Sequence, residues 1–291
     1  MHKARRSLRR RKSTDVSLVH SDIIVNGVRS PVLQTGSTAA TEAVVFVHGN
    51  PGTGSDWTSL LEPVGQFGRG VALDMPGFGN ADKPKSFTYT VDGYATHLAG
   101  ALDQLGITRA HVVAHDFGGP WALAWAAAHP DSFASATLIN TGVLVDYSWH
   151  RYAKIWRTPV LGELFMATAT KPMFRLLLGK ENPGLSRAAL DRIYDQNSPP
   201  ATKRAVLKLY RATPADQMGV LTDVLAPLDR PALVVWGAAD AYIPVAQAEK
   251  QRLSFPSAEV HELPGLGHWP MLEAPDAVAG LVVPFLRKQL T

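Results

Sequence analysis

The 291-residue sequence predicts a doubly wound α/β fold with a helical insertion, and three features predict it. Short β-branched runs alternate with longer helical stretches, the pattern of parallel strands joined by crossover helices. The alternation stops from Gly142 to about Pro227, where aromatic and basic helical segments follow one another without a strand between them. Reactive side chains stand just past the ends of the apolar runs, as in a site assembled at one edge of a sheet.

Core strands are predicted at 43–47, 71–74, 110–114, 135–139, 232–236 and 259–263, each an apolar run of strand length. Helices are predicted at 91–105, 117–128, 245–253 and 274–289. Within the insertion, 147–155 and 201–211 read as helical, separated by a turn over 182–184 and by the Ser198-Pro199-Pro200 break. The expected organisation is a basic disordered tail over 1–15, a core formed by 16–142 with 227–291, and a helical cap over 143–226.

Hydrophobic residues at 46% and charged residues at 19% give an ordinary globular balance, so the chain should bury a core. No cysteine is present, which removes disulfides, thiolate nucleophiles and cysteine-held metals together. The formal charge of +4 suggests a nucleic-acid partner until the charges are located. Seven of the 29 basic residues lie between Lys3 and Lys12 without an acid among them, leaving 22 bases against 25 acids beyond, a formal −3. The body is mildly acidic, so no nucleic-acid function is expected. The arginine pairs are not followed by an apolar signal segment, and no run approaches the roughly 18–20 apolar residues of a membrane span. A cytoplasmic enzyme acting on a small molecule is the expectation, and nothing in the pattern specifies an oligomer. Removing residues 1–12 should leave turnover and melting temperature nearly unchanged while lowering the pI; a large stability loss in a thermal melt would show that the tail packs on the body.

The chemistry starts at Ala114-His115-Asp116-Phe117-Gly118, at the end of the third predicted core strand. Small residues two places either side of a central residue mark a sharp strand-to-helix turn, where larger side chains would collide with the neighbouring strand and helix. Pro120 follows in the first helical turn, where its missing N–H is no loss. Upstream, the strand ending at Val47 enters His48-Gly49-Asn50-Pro51, and the Asn50 amide could pair with that of Phe117 as an oxyanion hole. Downstream, Asp240 stands just past the strand at 232–236, and Gly267-His268 lies in a loop before the last helix. Nucleophile, acid, histidine is the chain order of hydrolase sites on this type of sheet.

From about Val16 to Leu290 the sequence resembles the α/β-hydrolase superfamily, in the branch of epoxide hydrolases and haloalkane dehalogenases. The motifs that carry the resemblance are His48-Gly49-Asn50-Pro51, Asp74-Met75-Pro76-Gly77-Phe78-Gly79 with Asp82-Lys83-Pro84, His115-Asp116-Phe117-Gly118-Gly119, and Gly267-His268. The resemblance implies an α/β-hydrolase fold, with Asp116 as nucleophile, His268 as base and Asp240 as its orienting partner. A carboxylate in the elbow suits displacement at saturated carbon, since attack on an ester carbonyl would produce a reactive anhydride. Asp116 would therefore form an alkyl-enzyme ester, which His268 hydrolyses by activating water.

In this branch a dehalogenase solvates halide with the side chain at the Asn50 position and an indole after the nucleophile. Phe117 has no donor. Epoxide hydrolases of the branch use cap tyrosines to hydrogen-bond the leaving oxygen, and the cap here contains Tyr147, Tyr152, Tyr194 and Tyr210. Tyr210, in Leu207-Lys208-Leu209-Tyr210-Arg211, resembles the tyrosine-arginine segment at the end of such caps; Tyr152 or Tyr147 is the candidate second donor. Epoxide hydrolysis is the first expectation. Haloalkane or haloacid dehalogenation is the alternative, followed by a non-catalytic ligand-binding scaffold. The sequence has no cofactor motif and no close histidine spacing, so neither cofactor nor metal is expected.

Overall fold

The computed structural model describes residues 17–214 and 219–290, and the expected tail at 1–15 lies outside the described residues. Eight strands form one sheet in the order β1-β2-β4-β3-β5-β6-β7-β8. They are β1 (Val19–Val25), β2 (Val28–Thr35), β3 (Glu42–Val47), β4 (Arg69–Leu73), β5 (Arg109–His115), β6 (Phe133–Ile139), β7 (Ala232–Gly237) and β8 (Glu259–Leu263). β2 is antiparallel to both β1 and β4, and every other neighbouring pair is parallel. This is the α/β-hydrolase fold that the sequence predicted. The β1–β2 hairpin was not predicted, because β1 is a half-exposed edge strand rather than a buried apolar run. Its signal is Asn26-Gly27, whose positive φ angles of 50° and 78° suit a two-residue hairpin turn.

Helices cover both faces. Alternate residues of a strand point to opposite sides, so Val45 and Val47 of β3 pack with α2 (Val91–Gln104) and α3 (Gly118–Ala128), while Val44 and Phe46 pack with α1 (Thr58–Val64) and α12 (Pro275–Gln289). The predicted helix at 245–253 divides into α10 (Ala246–Lys250) and a 3₁₀ turn over Gln251–Leu253, and α11 (Pro270–Glu273) precedes α12. Of the core helices that were not predicted, α1 is only two turns long and carries Pro63 inside it, which hides its periodicity.

Between β6 and β7 the described chain forms α4 (Arg151–Arg157), α5 (Leu161–Thr168), α6 (Lys171–Glu181), α7 (Arg187–Asn197), α8 (Pro200–Ala212) and α9 (Val220–Leu225). The helix expected at 147–155 starts later, as α4, because His150 caps it: Nδ1 accepts the Ala153 N–H at 3.3 Å. Tyr147 and Trp149 therefore stay in the preceding loop, with their rings packed on one another and on the core cluster.

Candidate active site

The side chains singled out in the core sequence gather at the carboxyl edge of the sheet, where open α/β sheets bind ligands. Asp116 follows β5, Asn50 follows β3, Asp240 follows β7 and His268 follows β8. Asp116 has φ of +49°, a left-handed conformation that costs a non-glycine residue of order 1–3 kcal/mol and persists only where its surroundings enforce it. The enforcement is visible at Gly118. A Cβ there would lie 2.1 Å from the Val47 carbonyl oxygen, so α3 can begin this close to β3 only without a side chain.

The Asn50 amide donates to Asp116 Oδ1 at 2.7 Å. A Cβ on Gly49 would sit 2.4 Å from the same oxygen and 2.6 Å from Phe117 N, so both expected oxyanion amides border one small volume. His48 braces this loop: Nδ1 donates to the Gly49 carbonyl at 2.8 Å, and Nε2 accepts the Met75 N–H at 2.9 Å. Asp74, the first residue of another conspicuous motif, accepts from the Gly54 and Asn80 amides at 2.7 Å each. That motif is therefore part of the loop scaffold.

Across from the elbow, His268 Nδ1 donates to Asp240 Oδ2 at 2.7 Å, and its Nε2 faces Asp116 Oδ2 at 3.4 Å. The Asp240 side chain has no exposed surface. Its Oδ1 accepts from the Tyr242 and Ile243 amides at 2.7 and 3.0 Å, and its Oδ2 also accepts from Asn140 Nδ2 at 2.8 Å. Burial works against charge on both carboxyls, but the His268 imidazolium outweighs it and holds Asp116 and Asp240 below the ordinary carboxylate range. Burial likewise opposes charge on His268, and the two carboxylates outweigh it, pushing its pKa up to about 10. Part of that rise belongs to Asp116, so neutralising Asp116 should weaken the hold on the proton. Asp116→Asn is expected to bring the His268 midpoint down from about 10, read by imidazole NMR; an unchanged midpoint would assign the whole effect to Asp240.

A cleft opens on these groups. Asp116, His268, Asn50, Tyr210 and His150 line it at the reactive end, and Trp156, Phe165, Met173, Phe174 and Leu177 line the remainder. The structure brings Tyr210 to the carboxyl edge. Its Oη is 3.4 Å from Asn50 Nδ2 and 3.4 Å from His150 Nε2. Since His150 Nδ1 accepts the Ala153 amide, the neutral ring carries its proton on Nε2 and donates it to Tyr210. Burial keeps His150 neutral, with its pKa down to about 4. Tyr210 thus accepts from two donors while its own hydroxyl proton has no acceptor among the described residues, and burial followed by the Asp116 charge raises its pKa well above the ordinary tyrosine value. It holds its proton and lines the cleft.

The other tyrosines are engaged elsewhere. Tyr152 lines the cleft, but its hydroxyl donates to Glu181 Oε1 at 3.2 Å. Tyr147 donates to the Tyr242 carbonyl at 3.1 Å and lines a smaller neighbouring cavity, while Tyr194 donates to the Ala169 carbonyl at 3.2 Å. The sequence reading assigned no role to His150, Asn140, His115 or Tyr242. Asn140-Thr141-Gly142 directly after the β6 run was the available signal for Asn140; His150 had none beyond a polar residue before a helical pattern. Among the described residues, no cluster of three or more His, Cys, Asp or Glu side chains could hold a metal ion, and no helix is long and apolar enough to cross a membrane.

The profile of the alpha/beta hydrolase fold family matches residues 42–275. A 2-hydroxy-6-oxononadienedioate/2-hydroxy-6-oxononatrienedioate hydrolase of Burkholderia vietnamiensis is 25% identical over 279 residues, covering 92% of this chain and 94% of its own. Epoxide hydrolase 1 of Caenorhabditis elegans is 24% identical over 282 residues, covering 90% of this chain and 68% of its own. Among solved structures, the epoxide hydrolase CorEH without ligand superposes with a TM-score of 0.80 at 18% identity, covering 94% of this chain and 99% of its own.

Proposed function

From a chain that belongs to the α/β-hydrolase fold family, we propose a hydrolase that opens epoxides to vicinal diols through an ester on Asp116. The observation that supports the reading is the Tyr210 hydroxyl, which accepts from Asn50 and His150 and whose own proton has no acceptor among the described residues, beside a carboxylate in a strand-to-helix elbow. An Asp116 oxygen attacks an oxirane carbon, the C–O bond of the ring breaks, and the departing oxygen takes the Tyr210 proton while His150 steadies the phenolate. Tyr152, the expected second donor to that oxygen, gives its proton to Glu181 instead, so Tyr210 donates with His150 behind it.

The second half hydrolyses the ester. Once Asp116 is esterified its charge no longer holds the proton on His268; that proton leaves through solvent and makes good the one Tyr210 gave up, and the neutral imidazole can then take one from water. The resulting hydroxide attacks the Asp116 carboxyl carbon, and the Asn50 and Phe117 amides stabilise the oxyanion. Collapse releases the diol with one oxygen from Asp116, the His268 proton passes to the departing alkoxide, and the Asp116 carboxyl proton then passes to His268, which restores the carboxylate–imidazolium pair. Asp240 orients and balances the imidazolium throughout.

The dienedioate substrate in the name of the Burkholderia vietnamiensis relative carries two carboxylates, for which this cleft offers little charge complement. Its one lining lysine, Lys203, is bonded to the Met166 carbonyl at 2.7 Å, and the rest of the wall is largely apolar. Haloalkane or haloacid dehalogenation is the second reading, and a specific observation favours it: Trp156 lines the cleft with a buried indole N–H that has no partner among the described residues. That N–H and Asn50 Nδ2 could solvate a halide. A matched panel of epoxides, haloalkanes and carboxyl esters, scored for diol, halide and acid, tests the choice. Diol formation should dominate; halide release outpacing it would transfer the assignment to the dehalogenase.

A further inference from the structure

We propose that Asn182, the residue that ends α6 in the helical insertion, is a positioning residue for His268, so that the insertion sets the geometry of the base as well as walling the cleft. The proposal rests on His268 serving as the base of the hydrolytic half-reaction.

The loop between β8 and α11 has no strand or helix of its own to hold the His268 peptide. Side chains from elsewhere hold it. The Gly267 and Trp269 amides donate to the two oxygens of Glu273 at 3.0 and 3.2 Å. Between them the His268 amide donates to Asn182 Oδ1 at 3.1 Å, and the His268 carbonyl accepts from His115 Nε2 at 2.7 Å. Glu273 and His115 are core residues, whereas Asn182 reaches in from the insertion. Asn182 is fully buried, and its Nδ2 donates to the Leu178 carbonyl at 3.0 Å and to Tyr242 Oη at 3.2 Å, which leaves the side chain one orientation. Tyr242 donates onward to Glu181 Oε2 at 2.7 Å and packs edge-on against the His268 ring at 5.1 Å. The end of α6 therefore grips the base from two directions.

Removing the Asn182 oxygen would leave a buried N–H without an acceptor and let the His268 peptide rotate. The ring would keep its bond to Asp240 but lose a fixed aim at the ester carbon, and misplacement on the scale of 1 Å slows such steps steeply. Ester formation uses Asp116, Tyr210 and His150, none of which Asn182 touches. Only the second half-reaction should suffer.

Rapid-quench measurement of the two half-reactions in Asn182→Ala should find ester formation within twofold of wild type and ester hydrolysis slowed tenfold or more. Asn182→Asp, which keeps an accepting oxygen, should recover hydrolysis to within threefold. Equal losses in both halves, or unchanged hydrolysis, would overturn the proposal. Should Asn182→Ala fail to fold, Asn182→Ser, polar but too short to reach the amide, takes its place with the same expectations. A second readout is independent of turnover: exchange of the His268 Nδ1 proton with water, followed by NMR, should quicken at least tenfold in the Ala or Ser variant and stay near wild type in the Asp variant. Unchanged exchange overturns the role of Asn182 even if epoxides are not substrates, while altered exchange in a protein that forms no ester would overturn the epoxide reading alone.

Discussion

His268→Gln should trap an alkyl ester on Asp116. With the base removed, ester formation proceeds and hydrolysis slows by roughly 10²–10⁴-fold, the usual contribution of a positioned general base. Intact mass should rise by the full mass of the epoxide, because its leaving oxygen stays attached to the alkyl chain; a haloalkane would add its own mass less the hydrogen halide. Peptide mapping should assign the adduct to Asp116. Asp116→Asn, the control that tolerates the positive φ of the elbow, should abolish the adduct and lower turnover by about 10⁴-fold or more, as expected when a nucleophile is lost. An unmodified Asp116 in a His268→Gln variant that still binds a confirmed substrate would end the covalent reading.

Tyr210→Phe should slow epoxide opening about a hundredfold without unfolding the protein. Loss of one preorganised donor typically costs about 2.7–4 kcal/mol at the transition state. The ring would remain packed against Phe117 at 5.0 Å and Trp156 at 4.8 Å, so the melting temperature should change little. His150 would then direct its Nε2 proton at the cleft, so His150→Ala combined with Tyr210→Phe should cost more than either change alone. Halide release should be largely indifferent to the loss of the phenol, and Phe117→Trp, which adds an indole beside the elbow, should raise it. A Tyr210→Phe variant with unaltered diol formation would remove the proton-donor role, and with it the ground for preferring epoxides to haloalkanes.

The sequence by itself determined the alternation of core strands and helices, the insertion between β6 and β7, and the four loops that carry Asn50, Asp116, Asp240 and His268. Each of these is a local property: apolar runs of strand length, small residues flanking a strained turn, and reactive residues at strand ends. The β1–β2 hairpin was harder to find because an edge strand buries only some of its side chains, which weakens the apolar run. The insertion kept its helical character, but its first helix moved to Arg151–Arg157 because a side-chain cap at His150, not the periodicity, determines where it starts.

The partners of each reactive group were a tertiary matter. Sequence could nominate Tyr210, but a hydroxyl is a free donor or an engaged one according to what surrounds it. Tyr152 and Tyr210 differ in that respect only because Glu181 meets one, while Asn50 and His150 meet the other. Asn140 on Asp240 and Asn182 on His268 are contacts between residues 100 and 86 positions apart. No local pattern encodes such pairs, because the free energy that selects them is the cost of leaving a buried polar group unpaired, and burial exists only once the chain has folded.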